Sequence, residues 1–180
     1  MPQQKTILIL DVATSGYSPD NDHILEVACI LASAEAPTFD VIDICNVVVR
    51  HPSGSVKAPD FHEALLAECG QEDRSSLKAC EGFLLAGPWT TADVLCNRAL
   101  DFDLKFLAKQ MPTLHRALTK NKPQIEIKAL EVLHLAGGGR PYESTVSRTF
   151  RAADDAVAAY EELQWYYGAR GAAATTAVAA

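Results

Sequence analysis

The apolar positions of this chain fall into short blocks set apart by polar turns, and the first block sets the frame. Ile7-Leu8-Ile9-Leu10 is an unbroken apolar run closed by Asp11 and by a turn at Gly16. It is too short for an ordinary helix, and without polar alternation it predicts a central strand covered on both faces. His23 to Leu31 predicts a second strand and Phe39 to Val49 a third, in an antiparallel meander with the first. The pattern then changes period. A helical patch over His62 to Cys69, a helix over Leu77 to Leu85 ending at Gly87-Pro88, a short strand at Asp93 to Asn97 and a helix over Asp103 to Gln110 follow. Leu114 to Leu118 adds a turn or two, Glu126 to Leu135 is helical before three glycines, and a last helix runs from about Ala152 to Tyr167. Three strands, then helix-strand-helix, then helices describe an α/β fold with helices on the faces of a mixed sheet. Residues 1–167 read as one domain, and 168–180, mostly alanine without an apolar face, as a flexible tail.

Composition narrows the classes. At 180 residues and 48% apolar content the chain can bury a sizeable core. A net charge of -7 gives no general attraction to nucleic acid, so any such binding must be local. No apolar run reaches the roughly 20 residues that span a bilayer. The start carries no signal- or transit-peptide pattern. Five cysteines without a CxxC, three of them inside apolar runs, read as reduced core residues. A reducing intracellular compartment follows as the expectation, cytoplasmic or nuclear. His51 and His62 do not stand at zinc-site spacing from Cys69.

Three short stretches carry candidate chemistry. Asp11-Val12-Ala13-Thr14-Ser15-Gly16 ends the first strand, and positions 11 and 13 share one face of it. Phe102-Asp103-Leu104-Lys105-Phe106-Leu107 puts a carboxylate at a helix start with an apolar anchor three and four residues on. Phe150-Arg151-Ala152-Ala153-Asp154-Asp155 heads the last helix. Together these resemble the motifs of the DEDDh 3′-to-5′ exonucleases, and within them the oligoribonucleases. Asp11 to Gly16 is similar to that family's Asp-x-Glu and Thr-Gly turn, and Ile24-Leu25-Glu26-Val27-Ala28 to its second strand. Phe102 to Leu107, continued by Met111-Pro112 and Leu114, resembles its second motif, and Glu126-Ile127 with Leu130 its Asp-Val-x-x-Leu segment. Phe150 to Asp155 falls on its His-x-x-x-x-Asp, and Leu163 with Trp165-Tyr166 on its Leu-x-Tyr-Tyr.

The resemblance implies a ribonuclease-H-like, three-layer α/β/α fold with a central mixed five-stranded sheet. It also implies magnesium or manganese held by Asp11 and Asp155, with Asp103 orienting the site, and a homodimer or larger assembly acting on short RNA or DNA. Tyr17, Ser15 and Thr14 would lie against the nucleotide. Two positions depart from the pattern. Ala13 stands where the family has a metal-binding Glu, and Phe150 where it has the His that deprotonates water. Loss of a general base alone removes about 10²–10⁴ in rate, and losses within one catalytic unit do not simply add. The expectation is therefore a degenerate, catalytically silent exonuclease-like protein without a required cofactor. Its role would be structural, nucleic-acid-binding or protein-interacting, without a membrane. The alternative is an active exonuclease in which Glu26 or a histidine stands in, or a form inactivated by design at position 13.

Overall fold

A computed structural model describes residues 4–35, 38–52, 55–72, 74–146 and 149–178. Residues 1–3 of the stretch behind the leader expectation, and 179–180 of the expected tail, lie outside these. The first strand, β1 (Thr6–Thr14), is central. It pairs antiparallel with β2 (Ile24–Ser33), which pairs antiparallel with β3 (Val41–Val48), the expected meander. On its other side β1 pairs in parallel with β4 (Val94–Asn97), and β4 with β5 (Gln124–Glu126). The order across the sheet is β3-β2-β1-β4-β5.

Strand alternation divides the apolar residues between two layers. Leu8, Leu10 and Val12 of β1 face α2 (Leu77–Ala86), α3 (Leu100–Gln110) and α4 (Pro112–Thr119), whose Leu84, Phe106 and Leu114 close that core. Ile7, Ile9 and Ala13 face the other way. There α1 (Glu63–Cys69), α5 (Ile127–Ala136) and α6 (Ala152–Val178) cover them with Leu65, Ile127, Ala156 and Leu163. The small side chains of Ala152, Ala156 and Ala159 are buried, which lets α6 lie close to the sheet beside the end of β1. This is the three-layer ribonuclease-H-like arrangement. Among the described residues no helix is long and apolar enough to cross a membrane.

Two elements differ from the sequence reading. Residues 124–126 form a strand where a helix was expected from Glu126, because three residues after Pro123 are too few to show a period and are held by pairing with Leu95–Asn97. The backbone of α6 stays helical past Tyr167 to Val178, where composition suggested a flexible tail. Alanine has the highest intrinsic helix propensity, so an alanine-rich stretch readily continues a helix.

Candidate active-site groove

The groove begins where β1 turns. Ser15 accepts from the His23 N–H at 2.8 Å through Oγ and donates its own N–H to the His23 carbonyl at 2.9 Å. Asp22 accepts from the Ser18 N–H at 2.8 Å, and a side chain at Gly16 would overlap the Asp22 carboxylate. Gln110 of α3 ties the turn down from below, accepting from the Ile24 N–H and donating to the Asp22 carbonyl. The turn presents Thr14, Gly16 and Tyr17 to the groove, whose other lining includes Asp11, Ala13, Phe102, Phe150 and Asp155. Ser15 is turned inward and holds the turn rather than facing a ligand.

The three expected acids separate into two roles. Asp11 and Asp155 line the groove from β1 and α6. Asp103 is buried behind it, and the single side-chain amide of Asn97 donates both to Asp103 and, at 2.8 Å, to Asp11. Burial pushes the Asp11 carboxyl up to about 7, with the charges of Asp155 and Glu26 adding to the shift and the Asn97 bond opposing it. Burial next to Asp11 likewise holds the Asp103 carboxyl well above the usual range. Asp154, one residue before Asp155, takes the Thr149 hydroxyl at the head of α6 and leaves the groove to Asp155.

Glu26 does not stand in for the carboxylate absent at position 13, although the two residues are directly paired across β1 and β2. Its side chain is 0% exposed and wholly engaged. Arg151 reaches both of its oxygens through Nε at 3.1 and 3.0 Å and one through a terminal nitrogen at 2.7 Å. The Ala152 N–H and Asn46 complete its shell. Arg151 continues to Glu68 of α1 at 2.9 Å, and Glu68 to Arg74 at 2.7 Å. This ion chain fastens the head of α6 to β2 and α1, and so sets where Phe150 and Asp155 stand.

Phe150 adopts a left-handed backbone, φ 58°, and is 44% exposed at the groove wall. Its ring meets that of His62 edge to face at 6.3 Å. His62 comes from the turn Asp60–His62 ahead of α1 and lines the same groove. Burial lowers its pKa, the Glu26 charge opposing. The sequence reading weighed His62 only as a zinc ligand, because nothing local marks that segment as returning to the end of β1. Tyr17, 84% exposed, packs edge-on to Phe102 at 6.3 Å, which makes the mouth aromatic. Beyond Asp11 and Asp155 a second lobe holds Arg98, Tyr142 and Ser144. Arg98 is paired with Glu162 and, at 3.2 Å, with Glu131. It places a cation in the same lobe as Asp11 and Asp155. Tyr166 is buried and stacks with His134 and Trp165, which makes the C-terminal aromatic cluster a packing feature.

A pair of divalent ions requires several oxygen donors converging on one side. Ala13 brings none, Glu26 is committed to Arg151, and Asp103 lies behind Asn97. Among the described residues no three acids, histidines or cysteines are disposed to hold a metal. The donor set does not fit two metals.

No protein-family model matches the chain. Over 178 residues, 92% of each chain, it is 24% identical to oligoribonuclease of Neisseria meningitidis. Its fold superposes on E. coli exonuclease I in complex with a dA16 oligonucleotide with a TM-score of 0.67, at 14% identity, over 93% of this chain and 42% of that one. A product-bound exonuclease I gives a TM-score of 0.63 at 14% identity over 93% of this chain and 45% of that one, so this chain spans less than half of exonuclease I. The chain is thus a homologue of oligoribonuclease on the ribonuclease-H-like fold that exonuclease I shares, with Ala13 and Phe150 in its groove.

Proposed function

We propose that this protein is a degenerate exonuclease-like subunit that holds the end of a short RNA or DNA strand in the groove without hydrolysing it by two-metal chemistry. The observation that carries this reading is the groove wall itself. Both departures from the family pattern, Ala13 and Phe150, face the groove beside Asp11 and Asp155, and the nearest spare acid, Glu26, is buried in an ion pair with Arg151. What remains suits binding. Tyr17, Phe102 and Phe150 offer aromatic faces on which bases stack, and the raised Asp11 and Asp103 carboxyls leave the floor less negative near neutral pH than three free aspartates would. The oligonucleotide complexes of exonuclease I support a groove of this kind as a strand-binding place. Any residual magnesium or manganese would contact Asp11 and Asp155. Five free cysteines, four of them buried, agree with a reducing compartment such as cytoplasm or nucleus.

The test is fluorescence anisotropy of the full chain with labelled RNA and DNA of two to eight nucleotides, alongside product analysis with magnesium and with manganese. Binding without shortening is expected. Stoichiometric shortening that survives repurification and follows the protein through a sizing column would overturn the reading. Pairing Ala13→Glu with Phe150→His then asks whether the frame still supports cleavage.

One observation favours a second reading, an active enzyme with a displaced imidazole. His62 reaches the groove wall beside Phe150 from a segment outside the three motifs. In that case wild-type cleavage would be measurable and His62→Gln would abolish it while leaving strand binding in place.

A further inference from the structure

Two cysteines face each other across the outer strands of the sheet, outside the groove and unused by it. In the antiparallel register of β2 with β3, Cys29 stands directly opposite Cys45. Opposed residues share one face of the sheet. Both side chains belong to the layer that α2, α3 and α4 close, Cys29 within its buried core and Cys45 packed against it. Opposed Cα atoms of an antiparallel pair lie about 4.5–5.5 Å apart, inside the roughly 4.4–6.8 Å that a disulfide bridges. The thiols are in contact: hydrogen bonding to Cys45, then burial and the charge of Cys45, push the Cys29 thiol well above its ordinary value. Access differs between them. Cys29 is 1% exposed, whereas Cys45 is half-buried on the edge strand. The other three cysteines are placed differently. Cys80 turns its thiol to the Ser75 and Val48 carbonyls at 3.5 and 3.9 Å, and Cys69 and Cys96 lie in the opposite layer.

We propose that Cys29 and Cys45 are a reversible dithiol, a modification site for low-molecular-weight disulfides of the glutathione class that closes to a covalent bond between β2 and β3. The accessible Cys45 thiolate attacks one sulfur of the small disulfide. A mixed disulfide forms, and one small thiolate leaves and takes up the proton that Cys45 gave up. Cys29, losing its own proton, then attacks the Cys45 sulfur and expels the second small thiol. Two protein thiols are oxidised, and one small disulfide is reduced to two thiols. Consumption of Cys45 in the first step removes the thiol hydrogen bond and the charge that hold Cys29 protonated, so burial alone still opposes the second. The sheet keeps the bond reversible. Opposed Cβ atoms lie about 4.5–5.5 Å apart, at or beyond the roughly 3.5–4.5 Å of a relaxed disulfide. Closing the bond therefore draws the strands together, and bonds of that kind are the labile ones that a thiol pool reopens. A pair reduced at rest and oxidised transiently is the form disulfides take in a reducing compartment. The pair lies away from the nucleotide groove, so its failure leaves the functional reading untouched.

The experiment treats the folded, reduced full chain with oxidised glutathione, blocks the remaining thiols by alkylation, and reads intact mass and a peptide map. The expected result is the loss of two hydrogens, two of the five thiols withdrawn from alkylation, and a Cys29–Cys45 peptide link that reduced glutathione reopens. Cys29→Ser separates the steps: it should stop at a single glutathione adduct on Cys45, while Cys45→Ser should leave Cys29 unmodified. The wild-type peptide map decides the matter even where a variant fails to fold. Five alkylatable thiols after treatment overturn the proposal, as does a glutathione adduct that never resolves in the wild-type chain. So does a link that engages Cys69, Cys80 or Cys96 instead, or one that forms only in urea.

Discussion

Replacing Arg151 by methionine removes the guanidinium while keeping much of the stem that packs at the head of α6. Glu26 then keeps two neutral donors, the Ala152 N–H at 2.7 Å and Asn46 at 2.8 Å, and loses the charge that balances it. Leaving one partner of a buried pair uncompensated is destabilising by about 3–5 kcal/mol. Because the Arg151 side chain is 27% exposed, water offsets part of that, and the lower end, about 3 kcal/mol, is the expectation. For a chain of this length 1 kcal/mol moves the melting temperature by about 2–4 °C, so a fall of roughly 6–12 °C should be seen at pH 8. The sign of the pH dependence separates charge from packing. In the variant a carboxylate without a balancing cation is buried, and burial penalises its charged form. Its protonated form is accommodated at low pH, and the variant loses stability relative to wild type as pH rises. Urea denaturation at pH 5 and pH 8 reads this directly: the deficit should be several-fold smaller at pH 5. Glu26→Gln added to Arg151→Met should recover at least half of the loss at pH 8. A deficit equal at both pH values, or one below about 1 kcal/mol at pH 8, would refute the assignment of the ion pair as the tie between α6 and β2.

Three further outcomes follow from the groove. Tyr17→Ala should weaken binding of short oligonucleotides by about 5- to 150-fold, the range for one lost base–aromatic stack of about 1–3 kcal/mol, without shifting the melting temperature, because the ring is 84% exposed; anisotropy titration measures it. The Asp11 and Asp103 carboxyls are both raised in the folded chain. The stability they allow is therefore full below the ordinary carboxylate pKa and falls as pH rises above it, for Asp11 through about 7, and Asp103→Asn should flatten that decline in urea midpoints between pH 5 and pH 8. Gly16→Ala should destabilise the β1 turn by about 1–3 kcal/mol, seen as a lower urea midpoint, since the added carbon meets the Asp22 carboxylate.

Much of the frame was legible in the residues alone. An unbroken apolar run ending in Asp11, a strand carrying Glu26, a helix opening near Asp103 and a last helix headed by Asp155 each declare themselves through local period and turn residues. Those are short-range properties of the chain. The three-residue strand β5 did not, because it owes its conformation to pairing with β4 and to no pattern of its own.

The groove divides the same way. Sequence by itself determined that residue 13 has no carboxylate and residue 150 no imidazole, since composition at a motif position needs no coordinates. Tertiary structure alone decided the rest: that Glu26 is held by Arg151 from 125 residues away, that one Asn97 amide joins two aspartates, and that His62 and Arg98 come to the same acids. Partners so far apart along the chain leave no periodicity between them. Only the closing of a shared core against both faces of one sheet brings them within hydrogen-bond reach.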